Sequence, residues 1–456
     1  MRTPRRGSRG RTRNSLDSNR RSSSRTSRCA PLPRGSRSRA AGASALGMSL
    51  SALPPCSRAP PWAASGSCWT TKGIDAAAWF RLDGRVNFNR FRILAGLLVA
   101  LSGFLDADAA PATRTRNIFF VMTDGLRWQE VFTGAEEQLI SKEFGGVART
   151  NELRKDFWRD TPGARREALM PFFWTEIAKR GQVFGNQRKG SVARVTNGQN
   201  FSYPGYSEML TGFADARIDS NKKIPNANVT VLEWLHNKPA FRGRVAAFAN
   251  WDVVPFVVNT QRSGIPVWTG LEKVTDPKVN PRQAHLEELV AEMTSLWGEM
   301  TFDVFIQQAA LHHIRTAKPR VIYITFDETD EWAHEGRYDL YLKSARGVDR
   351  YLRQLWELAQ SLPEYRDTTT MIITTDHGRG AGNLSWKNHG KNIPEASGIW
   401  IAALGPDTAP LGERENVPPV TQSQIAATVA KLLGEDYNAA TPQAGEPIAD
   451  LLSGPK

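Results

Sequence analysis

The sequence predicts an α/β fold, an α/β/α sandwich with a largely parallel central sheet. Three observations lead there. Runs such as Asn117-Ile118-Phe119-Phe120-Val121-Met122-Thr123 and Thr369-Thr370-Met371-Ile372-Ile373-Thr374 are apolar and β-branched without alternation, as strands buried on both faces are. They alternate along the chain with segments of helical periodicity, the order that lays strands parallel. They also stop abruptly on Asp, His or Gly, at the carboxyl ends where open parallel sheets collect their chemistry.

Residues 1–85 are rich in Arg, Ser, Pro, Gly and Ala, a composition that cannot bury enough apolar surface to offset chain entropy. They read as a disordered basic tail or, the favoured reading, as residues outside the natural protein, with translation starting near Val86. Residues 86–109 read as a signal peptide. Arg85, Arg90 and Arg92 form its basic lead, residues 93–105 an apolar core, and Ala107-Asp108-Ala109 a small-x-small cleavage site. That core is shorter than the ~20 residues that span a bilayer. Cleavage near Ala110, no stable membrane anchor, and a periplasmic or secreted protein are therefore expected. Residues 110–456 form one catalytic domain.

Within that domain the first strand, 117–123, ends on Asp124-Gly125. A helix is predicted over 165–180, with Leu169, Phe172, Phe173 and Ile177 inward and Gly181 as its stop. A short strand follows over 182–184. Pro204 is placed as the first residue of a helix carrying Tyr206 to Leu210, with Ser202 just before it, at its positive end. Residues 244–258 read as a strand and its exit loop. Residues 285–317 read as mostly helical, with His312 and His313 on the helix surface. The strand 320–326 runs into Asp327-Glu328-Thr329-Asp330-Glu331-Trp332-Ala333-His334. Next, Tyr341, Ala345, Val348, Leu352, Leu355 and Ala359 recur at spacings of four and three, a buried helical stripe. The strand 369–375 ends on Asp376-His377-Gly378, and a glycine-rich loop holds His389. A strand over 399–404 and a helix over 422–433, stopped by Gly434, complete the domain.

The chain of 456 residues carries 59 Lys and Arg against 46 Asp and Glu, a net +13. Residues 1–109 hold 19 of the former and 5 of the latter, so residues 110–456 hold 40 and 41, a net of −1. The folded part is close to neutral, which removes the case for a nucleic-acid partner. All three cysteines, Cys29, Cys56 and Cys68, precede residue 110. The domain therefore has no disulfide framework, and any metal in it is held by His, Asp, Glu or hydroxyl groups.

Three strand ends and a following loop carry polar groups that a bare fold does not need: Asp124, Asp330 with His334, Asp376 with His377, and His389 on the loop. Three Asp and three His fill two sites of three ligands each, a donor set suited to zinc. Two such cations stabilise the attacking and leaving oxygens of an in-line displacement. Asp330 and His334 are four residues apart, on one helix face. Singly, each residue has a bland reading as a helix cap, a core histidine or a loop residue. Their joint occurrence beyond strand ends argues for function.

These residues resemble the alkaline phosphatase superfamily, closest to its type I phosphodiesterase/nucleotide pyrophosphatase branch, over roughly residues 117–434. The branch's nucleophile motif, Thr-Phe-Pro-Asn-His followed by Thr-Gly, is matched in register by Ser202-Tyr203-Pro204-Gly205-Tyr206 and Thr211-Gly212. Its Asp-x-x-x-His resembles Asp330 and His334, its Asp-His-Gly Asp376-His377-Gly378, and its late His-Gly His389-Gly390. Its phosphate-contacting Asn looks like Asn221. Two departures stand out: Ser replaces Thr as nucleophile, and Gly205-Tyr206 replaces Asn-His, which leaves nucleotide preference open.

The resemblance implies an alkaline phosphatase-like fold and two zinc ions. Asp124, Asp376, His377 and the Ser202 oxygen would hold one, and Asp330, His334 and His389 the other. Ser202 would form a phosphoseryl intermediate, with Asn221 donating to a phosphate oxygen and a small phosphoester as substrate. Arg379 and Lys387 are candidate cations whose default reading is a solvated loop. Tyr203, Tyr206, Trp251 and Trp386 could stack on a substrate ring but read by default as packing. The rivals are a sulfatase, whose Cys/Ser-x-Pro-x-Arg lacks its Arg here, a phosphomonoesterase or phosphonate-cleaving relative, and a non-catalytic metal-binding relative.

Overall fold

The computed structural model of the protein describes residues 113–272, 278–298 and 300–454. The segments read as a basic tail and a signal peptide lie outside the described residues. Eleven strands occur among the described residues: β1 (Asn117–Thr123), β2 (Gln182–Phe184), β3 (Ala193–Arg194), β4 (Val245–Phe248), β5 (Val267–Trp268), β6 (Val321–Phe326), β7 (Thr369–Thr374), β8 (Gly398–Ile399), β9 (Ile401–Leu404), β10 (Gly412–Glu413) and β11 (Val420–Thr421). Eight of them form one sheet in the order β10-β2-β9-β7-β1-β6-β4-β5. Within it β9 runs against β2 and β7, and the other pairs are parallel. The fold is thus mixed α/β with a mostly parallel central sheet. Strands β11, β3 and β8 form a small second sheet.

The unbroken apolar runs are explained by burial on both faces. Successive side chains of a strand point to opposite sides. Phe119 and Val121 join Ile322, Ile324, Met371 and Ile373 in one core, while Ile118, Phe120 and Met122 join Tyr323 and Ile372 in another. The elements that matter below are α1 (Ser202–Thr211), α2 (Asp303–Ala317), α3 (Glu328–His334), α4 (Tyr338–Ser361) and α5 (Ile425–Leu432). Helices α2 and α4 cover the first face, and α1 and α5 the second. The expected stripe of α4, from Tyr341 to Ala359, is fully buried. Among the described residues no helix is long and apolar enough to cross a membrane.

Several predicted elements differ. The strand over 399–404 is two, β8 in the small sheet and β9 in the central one, parted at Trp400. The helix over 165–180 is two pieces. The first, Pro162–Leu169, breaks at Met170, and a second turn continues through Phe173–Ile177 to Ala178–Arg180. Pro171 has no N–H to donate and disfavours helical backbone at Met170. The region 285–317 is likewise two helices, Pro281–Glu292 and α2. Ser202 is itself the first residue of α1, with Pro204 third. The missing N–H of Pro204 falls where a helix has no internal acceptor anyway.

Phe119 is fully buried and packs edge-on against Tyr365 at 5.4 Å. Phe119→Ala should cost about 3–5 kcal/mol, read as a lowered denaturation midpoint with unchanged slope. An unchanged midpoint would contradict this packing.

Candidate metal centre and nucleophile

Three adjacent strands deliver the candidate ligands. β1 ends at Asp124, β7 at Asp376 and His377, and β6 leads through Asp327 into α3, which carries Asp330 and His334. Because β1 lies between β7 and β6, groups far apart in sequence emerge side by side. Gly125, at φ +59°, makes the close exit feasible: a Cβ there would stand 2.4 Å from Asp330 Oδ1. His389 arrives from the loop after β7, and its ring stacks on that of His377 at 4.0 Å.

The structure brings all six residues together. One donor atom each from Asp124, Asp376 and His377 lie within 4.8 Å of one another, as do one each from Asp330, His377 and His389. His334 Nε2 is 3.0 Å from Asp330 Oδ2 and 2.9 Å from His389 Nε2. The result is one continuous cluster in which His377 is shared.

The donor set fits a divalent cation. His377 Nδ1 donates to Gly378 O at 2.8 Å, and His389 Nδ1 to Asn200 O at 3.3 Å. Carbonyls only accept, so both rings carry the proton on Nδ1 and turn Nε2 toward the cluster, as metal-binding imidazoles do. Asp124 Oδ1 and Asp376 Oδ2 each lie 3.3 Å from His377 Nε2. Both oxygens are buried and lack a well-formed hydrogen bond among the described residues. Buried orphan oxygens are costly, and a cation would satisfy them.

Charge at the cluster follows from burial. Burial disfavours the His377 cation, but Asp376 and Asp124 outweigh it and raise the group to about 9. Burial holds His334 and His389 below the usual imidazole range, the latter helped by His377 and Arg379. Burial and the Asp124 charge push the Asp376 carboxyl up.

Ser202 is 6% exposed, and its Oγ lies 3.5 Å from His377 Nε2. Gly205 allows α1 to sit this close to the end of β7: a Cβ there would meet Asp376 O at 2.5 Å. The loop before Ser202 is pinned by buried Glu208, which accepts from Thr196 N and Oγ1 and from Asn197 N and Nδ2 at 2.7–3.0 Å. Asn221 Oδ1 accepts the Tyr203 N–H at 3.0 Å, which sets Asn221 beside the start of α1.

Arg379 departs from its reading as a solvated loop residue. It is 1% exposed, ion-paired to Asp330, and donates to Trp386 O and Lys387 O. It thereby ties the His389 loop to the Asp330 ligand. A guanidinium is buried this way when a carboxylate and carbonyls supply its acceptors, and no local spacing in the sequence signals those partners. Lys387 is half-buried. Trp386 is a packing residue, stacked edge-on with Tyr338 and Tyr341. The Tyr203 hydroxyl donates to Ile224 O at 2.5 Å. Asp327, quoted in the sequence without a role, is buried here beside Tyr206 and Asp124.

Residues 150–395, more than half of the chain, match the sequence model of the type I phosphodiesterase/nucleotide pyrophosphatase family. No curated protein matches. Similar solved structures include a protein in the alkaline phosphatase superfamily from Vibrio parahaemolyticus, 14% identical over 79% of this chain and 78% of that one, with a TM-score of 0.43. Another is a phosphonate monoester hydrolase from Silicibacter pomeroyi, 14% identical over 75% and 77%, TM-score 0.46. A third is a lipoteichoic acid synthase from Listeria monocytogenes, 11% identical over 75% and 76%, TM-score 0.47. Similarity at this level says nothing about chemistry.

A cation at Asp124, Asp376 and His377 must displace the proton that His377 holds up to about pH 9. Below that pH the proton competes, so apparent zinc affinity should fall roughly tenfold per pH unit from 8 to 6. Competition against a chelating indicator calibrated at each pH measures this. A flat profile would show that His377 is not displaced.

Proposed function

This chain belongs to the type I phosphodiesterase/nucleotide pyrophosphatase family of the alkaline phosphatase superfamily, and on that footing we propose that it hydrolyses phosphoric esters with Ser202 as nucleophile. One observation carries the reading. The Ser202 hydroxyl, at the N-terminus of α1, faces the same His377 nitrogen toward which two orphan carboxylate oxygens are turned.

Two divalent cations, zinc by ligand type, held by Asp124, Asp376 and His377 and by Asp330, His334 and His389, would supply the Lewis acidity that favours a serine alkoxide and a departing oxyanion. Ser202 Oγ, freed of its proton, attacks phosphorus in line. The Oγ–P bond forms as the bond from phosphorus to the leaving oxygen breaks; Ser202 has given its proton to water, and the departing alkoxide takes one from water to leave as an alcohol. Water then cleaves the phosphoseryl ester and restores the hydroxyl. The positive end of the α1 dipole lies at Ser202 and favours negative charge there. With Oδ1 engaged by Tyr203 N, Asn221 keeps its Nδ2 to donate to a non-bridging oxygen. The substrate is a small phosphoester, and the protein acts in a periplasm or outside the cell. A sulfatase reading is disfavoured because position 206, Arg in that motif, is a tyrosine whose hydroxyl stands 3.1 Å from both Asp124 Oδ2 and Asp327 Oδ1.

The test is a panel on zinc-loaded protein: p-nitrophenyl phosphate, its bis ester, the p-nitrophenyl ester of thymidine 5′-monophosphate, and p-nitrophenyl sulfate. At least one phosphoester should turn over and the sulfate should not. Ser202→Ala should lower kcat by about 10³-fold or more while two equivalents of zinc remain bound. Sulfate turnover alone, or an undiminished Ser202→Ala enzyme, would overturn the reading.

A further inference from the structure

Position 206 lies four residues after the nucleophile, so one turn of α1 puts it on the same face as Ser202. Its phenol ring is fully buried. The hydroxyl is 3.1 Å from Asp124 Oδ2 and 3.1 Å from Asp327 Oδ1. Asp327 is fixed in turn, because its backbone N–H donates to Asp303 Oδ1 at 3.0 Å. That same Asp303 oxygen also accepts from Asn250 Nδ2 at 2.9 Å and from Glu328 N at 3.3 Å. A rigid relay thus runs from the start of α2, through the exit of β6, to the end of β1.

We propose that Tyr206 is a positioning residue. Its hydroxyl, braced by Asp327, occupies Asp124 Oδ2, so that Asp124 offers only Oδ1 to a cation and is held at a set distance from Ser202. The inference rests on the phosphoester-hydrolase reading and adds the device that fixes nucleophile and ligand to one another. The two oxygens of Asp124 are already divided this way: Oδ2 has the phenol, whereas Oδ1 faces His377 Nε2 at 3.3 Å and lacks a well-formed hydrogen bond. Since Ser202 and Tyr206 share one helix, a shift of α1 moves the attacking hydroxyl and the clamp on Asp124 together. The Gly205-Tyr206 departure from the family's Asn-His then has a physical meaning. Glycine lets the helix approach Asp376 O, and that approach brings the phenol within reach of the carboxylates.

The test uses the zinc-free full chain, with Zn²⁺ alone as the probe, comparing the parent with Tyr206→Phe, Asp327→Asn and Asp327→Ala. The parent should take up two equivalents. Tyr206→Phe, with its Tm reported alongside, should bind one of the two about 10–100-fold more weakly, the usual effect of removing a hydrogen-bond partner from a ligand, and leave the other unchanged. Its kcat should fall while KM stays within about twofold. Asp327→Asn, which keeps a partner for the phenol, should restore most of the affinity that Asp327→Ala loses. Two sites of parental affinity in Tyr206→Phe would overturn the inference alone, whatever the change in Tm. Equal behaviour of the two Asp327 variants would also overturn it, because bulk packing would then suffice. A parent that binds no zinc would overturn both the inference and the metal-dependent reading beneath it.

Discussion

The structure depends on a concentration of buried negative charge at the carboxyl ends of the central strands of a mostly parallel sheet. Asp124, Asp327, Asp330 and Asp376 are each 7% exposed or less and lie around one point. Carboxylates out of water cost several kcal/mol each unless paired, so the surroundings must supply positive charge or protons. Arg379 does so for Asp330, and a proton on His377 does so between Asp124 and Asp376. For Asp327, burial and the Asp124 and Asp303 charges push the carboxyl well above the usual range. Arg379 is a fixed balance, whereas the proton between Asp124 and Asp376 is one that a divalent cation would replace.

That balance explains the choice of scaffold. Parallel strands buried on both faces are stiff, and their ends are fixed by the pairing of β1 with β6 and β7. A ligand mounted there cannot relax away from its like-charged neighbour. The proposed nucleophile, Ser202, is mounted differently, on a helix from the opposite layer. Its position rests on Glu208 holding the preceding loop and on the absence of a side chain at Gly205.

Much of this was legible in the sequence. Unbroken apolar runs announce strands buried on both faces, and the six candidate ligands follow strand ends in chain order, where a parallel sheet assembles them. The stripe from Tyr341 to Ala359 announces α4. What was illegible depends on contacts between remote segments. Arg379 reads as a loop residue because its partner Asp330 lies on another strand's exit, and Tyr206 reads as core packing because nothing local places Asp124 and Asp327 at its hydroxyl. The predicted helix over 165–180 breaks for a local reason: apolar spacing continues through Met170-Pro171, whereas Pro171 has no N–H and the N–H groups of Phe172 and Phe173 donate to Asp349 instead of the preceding turn.

The division of labour between protons and cations also bears on how such a centre can be assembled. A zinc finger lacks the core to fold without its ion. Here the two layers packed on the sheet are large and apolar, and the buried carboxylates have protons and a guanidinium as counter-charges. The ligands are therefore arranged before any cation arrives, and binding exchanges a proton for an ion instead of ordering a chain. A preorganised site of this kind spends little free energy on folding around its metal. What a cation would gain on binding would be available for the chemistry proposed at Ser202, whose hydroxyl stands 3.5 Å from the shared histidine.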